Sequence, residues 1–508
     1  MDKYKEIIEL ADRRAIFFPA AEIHKPLSGF WDFGPIGASI RRKIVDLWRK
    51  EIVRKTDSIE MEGCVILPKQ NFEASGHLKS FSDPVVVCSK CRKSFRSDKI
   101  IEEKLKREIP ESLPEHEFDA MIKEHKIKCS ACGGELGKTE RFNMMMGLSV
   151  GPVSEGYNSY LRPETCQSIF SSFMKIYKSS RVSLPLGISQ MGKSFRNEIS
   201  PRQSLVRLRE ITQMETEVFF NPDKINEVPG WDKYKHYRLR LKLIGKDTES
   251  ISCADAVKNH LISGKLVAYY LAVTQQFFEK CGFSTKEMRF RELEDTAKAF
   301  YSKETWDFEV NSSVGWLELV ANNYRTDFDL SSHSKVSGVD LSVVEDEKKF
   351  IPHVWEISMG LDRIFYYVLE NSMDERDGKP IFKFPYYLNP LHVVILPLVK
   401  KDGIGKKAEE INEMLKGRFE TKYDEKGSIG KRYVIYDQLG IPLAVTIDYD
   451  TIEDQSVTLR DRDTQKQVRV KIKDLENSIE KFFSGEKLEK LGKPVSQSVK
   501  KHEADGPD

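Results

Sequence analysis

The residues of this chain best suited to charge-driven chemistry fall in one stretch from Ser194 to Glu215. Successive side chains of a strand point to opposite faces, so Arg196 and Glu198 share a face. Alternate residues also share a face on the second strand: Arg207, Arg209, Ile211, Gln213, Glu215 and Glu217. Arginine offers a planar, bidentate fork that suits phosphate and carboxylate groups. The stretch therefore predicts a hairpin that binds a charged ligand, with an exposed ladder of salt bridges as the alternative, because charge runs usually face solvent.

Four of the eight cysteines form two pairs, Cys88-Ser-Lys-Cys91 and Cys129-Ser-Ala-Cys132, and two glycines follow the second pair. Each pair offers two thiolates from a tight knuckle, and four thiolates close a tetrahedral zinc site with no open position. We predict a structural zinc ribbon. A disulfide pair or reduced thiols are the alternatives, and this cysteine usage favours a reducing, cytoplasmic compartment.

Length and charge set wide limits on function. The chain has 508 residues and a formal net charge of +2, which allows two to four domains and does not indicate a nucleic-acid binder by bulk charge. Any RNA binding must use local patches. We expect no membrane span, because no run of about 18 apolar residues occurs, and no secretory leader, because the N-terminus is charged.

Hydrophobic spacing predicts the elements that hold these residues. Residues 34–55 have apolar side chains at helical spacing, and residues 60–67 indicate a strand. Near the C-terminus, two apolar strands at 391–399 and 441–447 with a helix between them predict a small α/β domain. A hairpin over 456–472 completes it.

We predict five segments from these patterns. They are 1–85, a zinc-ribbon-like insertion at 86–140, 141–385 with a mixed insertion near 221–300, the small α/β domain at 386–484, and a disordered tail at 485–508.

Several motifs together resemble those of one family. They are Trp31-Asp-Phe-Gly-Pro-Ile-Gly37, Ala74-Ser-Gly-His77, Leu161-Arg-Pro-Glu-Thr165, Phe195-Arg-Asn-Glu198 with Arg209-Glu-Ile-Thr-Gln-Met-Glu215, Gly315-Trp-Leu-Glu318 through Arg325, and Gly360-Leu-Asp-Arg363. Their order, from about residue 10 to about residue 480, resembles the class II aminoacyl-tRNA synthetases, and within them the dimeric archaeal and eukaryotic glycyl type. The resemblance implies an α+β fold: a catalytic domain over 1–85 and 141–385 with an antiparallel sheet flanked by helices, the zinc-ribbon-like insertion, and a C-terminal α/β anticodon-binding domain at 386–484. It also implies a cytoplasmic homodimer with motif 1, the helix and strand over 34–67, at its interface.

The resemblance implies an ATP site. Arg196 would hold the α-phosphate and the attacking carboxylate, Glu198 the adenine end, and Arg363 the γ-phosphate. Arg325 matches a further phosphate-binding arginine, and Glu318 is the candidate Mg²⁺ ligand. Arg207 and Ile211 complete the set, and Ile211 departs from the family, which usually has a phenylalanine there that stacks on adenine.

The resemblance also implies a glycine pocket and a tRNA(Gly) partner. The expected anionic pocket for the glycine ammonium comprises Glu164, Glu215 and Glu356, and Ser358 would crowd the α-carbon. Candidate anticodon contacts lie in two segments expected to be loops: Lys431, Arg432, Arg460, Arg462 and Gln465. Solvated loops are the alternative for both segments.

Two rival functions stay open at this point. A non-catalytic relative could keep the fold as an accessory or nucleic-acid-binding subunit, and a sister synthetase could use another amino acid. The motif arginines and glutamates are all present, which favours an enzyme that joins glycine to tRNA.

Overall fold

The structure is a computed structural model, and it describes residues 3–152, 157–201, 203–295, 298–299 and 301–495. Its centre is a sheet of nine strands within these residues. In spatial order they are Thr248–Ser252, Arg238–Lys242, Met288–Glu292, Glu304–Ser312, Gly315–Thr326, His353–Gly360, Glu210–Phe220, Leu186–Phe195 and Ile59–Met61. Six of the eight pairings are antiparallel. The predicted α+β class with an antiparallel sheet is confirmed.

Helices pack against this sheet, mainly around one large apolar core, and the helices Cys166–Ser180 and Phe328–Ser337 pack around a second, smaller one. Their bounds are Lys3–Arg13, Pro35–Trp48, Lys69–Ala74, His77–Ser80, Cys166–Ser180, Cys253–Lys258, Lys265–Lys280, Phe328–Ser337 and Leu361–Ser372. The helix predicted over 34–55 starts with Pro35 at its first turn, where a missing N–H costs nothing, and continues as a π-helix over Arg49–Arg54. Four short sheets lie around this body. Their strands are Phe17–Pro19 with Trp31–Phe33, Ile66–Pro68 with Tyr157–Leu161 and Met146–Val150, Val343–Glu345 with Lys348–Phe350, and Met373–Arg376 with Lys379–Phe382.

The insertion has a core of its own, built from residues such as Val86, Ile101 and Phe118. Three strands pair in the order Ser94–Arg96, Ser82–Val87, Glu140–Asn143, and the helices Ser97–Leu105 and Glu115–Glu124 cover them.

A six-stranded sheet forms the C-terminal unit, which also has its own core. Its strands are Thr421–Tyr423, Val393–Pro397, Leu443–Ile447, Ser456–Asp461, Gln467–Lys471 and Lys493–Pro494, and its helices are Ile404–Lys416, Ile429–Gln438, Tyr449–Asp454 and Leu475–Phe483. The predicted tail begins too early, because Leu488 is buried in this core and Lys493–Pro494 pairs with Gln467–Lys471. Residues 496–508 of that tail lie outside the described residues.

Three further expectations differ from the structure. The segment 60–67 forms two short strands, Ile59–Met61 and Ile66–Pro68, in different sheets. The segment 221–300 supplies three strands to the edge of the central sheet, so it extends the catalytic core. The charged hairpin exists, but its strands end at Phe195 and restart at Glu210, so Arg196, Glu198 and Arg207 lie in the connection. No helix among the described residues is long and apolar enough to cross a membrane.

Candidate active site

Three neighbouring strands of the central sheet bring glutamates onto one face. Across the antiparallel register, Glu215 lies opposite Ser358, and Glu217 lies opposite Glu356. On the other side of the strand His353–Gly360, Asn323 of the strand Gly315–Thr326 lies opposite Glu356. Residues two apart on a strand share a face, so this register stacks the carboxylates into one cluster.

Glu164 joins the cluster from the segment before the helix Cys166–Ser180. We use the name carboxylate pocket for these four glutamates together with Ser358 and Arg325. Its four glutamates are buried, with 7% of Glu164, 1% of Glu215, 0% of Glu217 and 3% of Glu356 exposed. Glutamate is rarely buried without partners, and three of the four have them.

Hydrogen bonds hold Glu164 and Glu215 in place. Glu215 accepts from Thr165, from Gln213 at 3.0 Å and from the Ser358 hydroxyl at 2.5 Å. Glu164 accepts from the Gln167 amide at 2.9 Å, and the His77 Nε2 atom lies 3.3 Å from the same carboxylate. Both carboxylates are thus fixed before any ligand arrives.

Arg325 provides the main positive charge of the carboxylate pocket. It donates to Glu356 at 2.9 Å and to both oxygens of Asp329 at 2.7 and 2.8 Å. Asn323 donates to the other oxygen of Glu356 at 2.6 Å. Only 1% of Arg325 is exposed, and it does not line the neighbouring cavity that Arg196 and Arg363 line. The structure therefore corrects the expectation of a phosphate-binding Arg325, because two carboxylates already balance its buried charge.

Burial sets the charge state of the carboxylate pocket. Desolvation, with the charges of Glu164 and Glu215 nearby, outweighs Arg325 and raises the pKa of Glu356 to about 7. Desolvation and the nearby Glu164 charge also raise the pKa of Glu215. For Glu164, desolvation is outweighed by His77 and Arg325, which hold its pKa well below the usual range. The pocket therefore combines Glu164, for which the ionised form is favoured, with Glu215 and Glu356, which take up protons more readily than exposed glutamates do.

Glu217 is the pocket residue whose role the sequence motifs did not indicate. Neither carboxylate oxygen has a hydrogen-bond partner within the described residues, and desolvation followed by the Glu356 charge raises the pKa of Glu217 well above its usual range. Its oxygens, the Cys166 sulfur and Glu356 lie within 4.8 Å of one another. The sequence did contain one signal for it: Glu217 lies two residues after Glu215, so the two side chains share a strand face.

A second cavity of about 500 Å³ lies beside the pocket, and we call it the arginine cavity. Residues that line it include Arg96, Arg196, Glu198, Arg207, Glu318 and Arg363. It therefore gathers five of the expected ATP-binding residues. Ile211 does not line it and packs at the edge of the main core, so it offers no stacking surface there.

Arg196 and Arg363 keep donors available in this cavity. Within the described residues, the Arg196 guanidinium makes one hydrogen bond, from Nε to the Pro163 carbonyl at 3.1 Å. Arg363, the third residue of the helix Leu361–Ser372, donates to the carbonyls of Val206 and Glu318 and lies 3.3 Å from the Glu318 carboxylate. Several directed arginine N–H groups at one cavity suit a polyphosphate.

The four paired cysteines come together in the insertion. The Cys88 and Cys132 sulfurs are 3.6 Å apart, as are those of Cys91 and Cys129, and all four lie within 4.8 Å of one another. Such spacing is too long for a disulfide, in which the sulfurs are about 2.05 Å apart. It fits a tetrahedron around an ion with metal–sulfur bonds of about 2.3 Å. A hydrogen bond from the Cys91 backbone is the main reason that the pKa of Cys88 falls to about 6, which favours a thiolate.

The expected anticodon residues divide into two kinds. Lys431 is exposed and Gln465 is half-buried, whereas Arg432, Arg460 and Arg462 are 1%, 7% and 1% exposed. Lys431 and Arg432 lie in the first turn of the helix Ile429–Gln438, which Ser428 caps, and not in a loop.

The three buried arginines are used inside the domain. Arg460 pairs with both oxygens of Asp437, Arg432 donates to two backbone carbonyls, and Arg462 donates to the Gly440 carbonyl. The expectation that their guanidiniums are free to meet anticodon bases is therefore corrected for all three.

Comparisons with known proteins agree along most of the chain. Residues 153–245 match the family model described as the tRNA synthetase class II core domain (G, H, P, S and T), and residues 392–482 match the anticodon binding domain. The glycine–tRNA ligase of Pyrococcus abyssi is 37% identical over 95% of this chain and 99% of its own length, and that of Aeropyrum pernix is 35% identical over 97% and 99%. Among solved structures, Giardia lamblia prolyl-tRNA synthetase in complex with prolyl-adenylate is similar in fold, with a TM-score of 0.59 and 17% identity over 93% of this chain and 74% of that one.

Proposed function

The chain belongs to the glycine–tRNA ligase family, and we propose on that premise that it activates glycine with ATP and transfers the glycyl group to the 3′ end of tRNA(Gly). The similarity to curated glycine–tRNA ligases over 95% of the chain is the observation that carries this proposal. The carboxylate pocket and the arginine cavity support it independently, because they combine buried carboxylates that suit an ammonium group with directed arginine donors that suit a phosphate.

The first step joins the two sites. A glycine carboxylate oxygen attacks the α-phosphorus of ATP, the bond from that phosphorus to the bridging oxygen breaks, and pyrophosphate leaves. We assign Arg196 to the α-phosphate and Arg363 to the far end of the triphosphate, with Arg207 beside them. Phosphoryl transfer depends mainly on positioning and charge neutralisation, which directed arginines supply.

Glu318 fits a place near Mg²⁺, because its half-exposed carboxylate lines the cavity next to Arg363. Mg²⁺ needs few protein carboxylates and would neutralise phosphate charge.

The second step transfers the glycyl group. The terminal ribose hydroxyl attacks the carbonyl carbon of glycyl-adenylate, and AMP leaves with the electrons of the broken carbon–oxygen bond. No side chain needs to form a covalent intermediate.

Glycine selection rests on the carboxylate pocket. We assign Glu164, Glu215 and Glu356 to the ammonium group, and Ser358 to the space beside the α-carbon. The Ser358 hydroxyl is held on Glu215 at 2.5 Å, so it cannot move aside for a methyl group without breaking that bond. Larger amino acids are then excluded sterically.

The assembly and compartment follow from the family. We propose a cytoplasmic homodimer that uses motif 1, although the apolar residues Ile40 and Ile44 of its helix are buried in this chain's own core. Light scattering during size-exclusion chromatography tests this; a monomer at micromolar concentration would refute it.

We also propose that Cys88, Cys91, Cys129 and Cys132 hold a structural Zn²⁺. Cys129→Ser should lower the bound zinc and the thermal stability of the protein. Elemental analysis with unchanged zinc content would refute the site, and Cys64→Ser, an exposed cysteine outside the cluster, is the matched control.

ATP–pyrophosphate exchange with all standard amino acids tests the main proposal. Exchange driven by glycine alone is expected. Exchange driven by proline, serine or threonine would indicate a sister specificity, and no exchange from folded protein would indicate an accessory subunit.

A further inference from the structure

The insertion reaches the arginine cavity through its own sheet. Asp83 lies on the strand Ser82–Val87 and Arg96 on the paired strand Ser94–Arg96, and Glu111 follows in the same insertion. All three line the cavity. None of the three belongs to the sequence motifs that supplied the expected ATP-binding residues of this cavity, so their presence needs a separate explanation.

Arg96 is fully occupied by carboxylates. Its nitrogens lie 3.0 Å from Asp83, 2.7 Å from Asp98 and 2.7 Å from Glu111. A guanidinium neutralised by three carboxylates has little charge left for a phosphate. Arg96 is therefore placed to position Asp83.

Asp83 has one oxygen without a partner. Its side chain is 3% exposed, and the Oδ1 atom faces Arg96. The Oδ2 atom makes no hydrogen bond within the described residues, and the nearest cation, Arg207, lies 3.8 Å away. A buried acceptor without a donor is unfavourable because it has lost its hydrogen bonds to water, so a ligand that supplies a donor would bind with that advantage.

The neighbours of Asp83 indicate which part of a nucleotide would suit it. Arg207 donates to Glu198 at 2.6 Å, so Asp83, Arg207 and Glu198 form one series along the cavity wall. A triphosphate offers only acceptors and negative charge, which a carboxylate repels. The donors of ATP are the adenine amino group and the ribose hydroxyls, so the nucleoside end fits this wall.

We propose that Asp83 is a further ATP-binding residue, which accepts a hydrogen bond from an N–H or O–H group of the nucleoside, and that Arg96 is its positioning residue. The proposal rests on the proposed function in that ATP is the ligand of this cavity. It gives the insertion a part in nucleotide selection.

ATP binding by calorimetry without glycine tests this independently of catalysis. Asp83→Asn keeps the shape but turns a donor towards the cavity, because the amide oxygen is expected to stay on Arg96. We expect the ATP dissociation constant to rise about tenfold, which corresponds to about 1.4 kcal/mol. In exchange assays the ATP KM should rise by the same factor, with the glycine KM within twofold of the wild type.

Analogues identify the donor. On the wild type, one of 2′-deoxy-ATP, 3′-deoxy-ATP and the triphosphate of purine riboside, which lacks the amino group, should bind about tenfold more weakly than ATP. On Asp83→Asn that difference should disappear. If the wild type binds all three as tightly as ATP, the proposal is wrong, whether or not the variant folds.

Arg141→Ala is the matched control, because Arg141 holds the same insertion through Glu115 and two carbonyls but does not line the cavity. Arg96→Ala should weaken ATP binding and Arg96→Lys should restore part of it, whereas Arg141→Ala should bind ATP as the wild type does.

Two outcomes would overturn the proposal. Equal weakening of ATP binding by Arg141→Ala would mean that only the stability of the insertion matters, and unchanged ATP binding by folded Asp83→Asn would show that Asp83 makes no contact with ATP. ATP binding without glycine-dependent exchange would count against the proposed function alone.

Discussion

The carboxylate pocket and the arginine cavity are adjacent, yet they handle charge in opposite ways. In the carboxylate pocket, Arg325 is 1% exposed and pairs with Asp329 and Glu356. In the arginine cavity, the Arg363 side chain is 33% exposed and faces a Glu318 side chain that is 42% exposed. In the first site the arginine is buried and its charge is balanced by carboxylates, whereas in the second site the arginines are more open and leave donors for a ligand.

This difference separates stability from function. Removing one partner from a buried ion pair leaves an uncompensated charge, whereas exposed pairs contribute little. Residues of the carboxylate pocket should therefore affect both folding and glycine binding. The more exposed arginines of the arginine cavity, Arg196 and Arg363, should affect catalysis almost alone.

The largest effect is expected from Arg325→Met. It leaves Asp329 and Glu356 buried without their cation, so the free energy of unfolding should fall by about 3–5 kcal/mol. Urea denaturation measures this, with Arg363→Ala as the control, for which we expect a change below about 1 kcal/mol. Equal stability of the two variants would remove the distinction between the sites.

Arg196→Ala tests the arginine cavity. Removing a group that stabilises charge in the transition state lowers rates by about 10²–10³, so glycine-dependent exchange should fall by at least that factor while the melting temperature stays that of the wild type. Lys193→Ala, at a half-exposed residue of the preceding strand that pairs with Glu210, is the matched control. Wild-type exchange in Arg196→Ala would refute its role.

The pH dependence of glycine binding tests the carboxylate pocket. Because the pKa of Glu356 is about 7, the empty pocket takes up a proton as the pH falls through 7. The glycine ammonium needs the carboxylate, so the glycine KM should rise about tenfold between pH 8 and pH 6. Glu356→Gln should have a high KM with a much smaller pH dependence, and an unchanged slope would exclude Glu356 as the titrating group.

The same group affects the stability of the ligand-free protein in the opposite direction. Its folded-state pKa is raised, so the folded state binds the proton more tightly, and that stabilisation is lost as the pH rises through about 7. Thermal unfolding of the wild type and Glu356→Gln at pH 6 and pH 8 measures the difference.

The smallest effect extends the comparison to the C-terminal domain. Lys431 is exposed, unlike the buried Arg432 beside it. Lys431→Ala should raise the tRNA KM a few-fold and reduce the salt dependence of tRNA binding by a slope of about 1, with unchanged melting temperature and exchange. Lys481→Ala, an exposed lysine on the helix Leu475–Phe483, is the control, and an equal effect would remove the special role of Lys431.

Much of the fold could be predicted because its signals are local. The helix from Pro35 and the alternation of strands and helices after residue 391 follow from apolar spacing. The segment 221–300 could not be assigned, because its strands gain stability from the edge of a sheet formed by distant residues.

The site residues show the same limit. Strand alternation alone places Glu215 and Glu217 on one face. The register that sets Glu217 opposite Glu356 and brings Arg325 to Glu356 depends on three strands from separate parts of the chain.

By itself, the sequence determined the family, the cysteine pairs and the residue types of both sites, because these reside in short motifs and in their order. Only the tertiary structure decided which charges are buried. Arg325, Arg432, Arg460 and Arg462 look in sequence like ligand-binding arginines, and each is less than one-tenth exposed beside carboxylates or carbonyls. The physical reason is that the free energy of a charge depends on its solvation and on its nearest partners, and the packing of distant segments sets both.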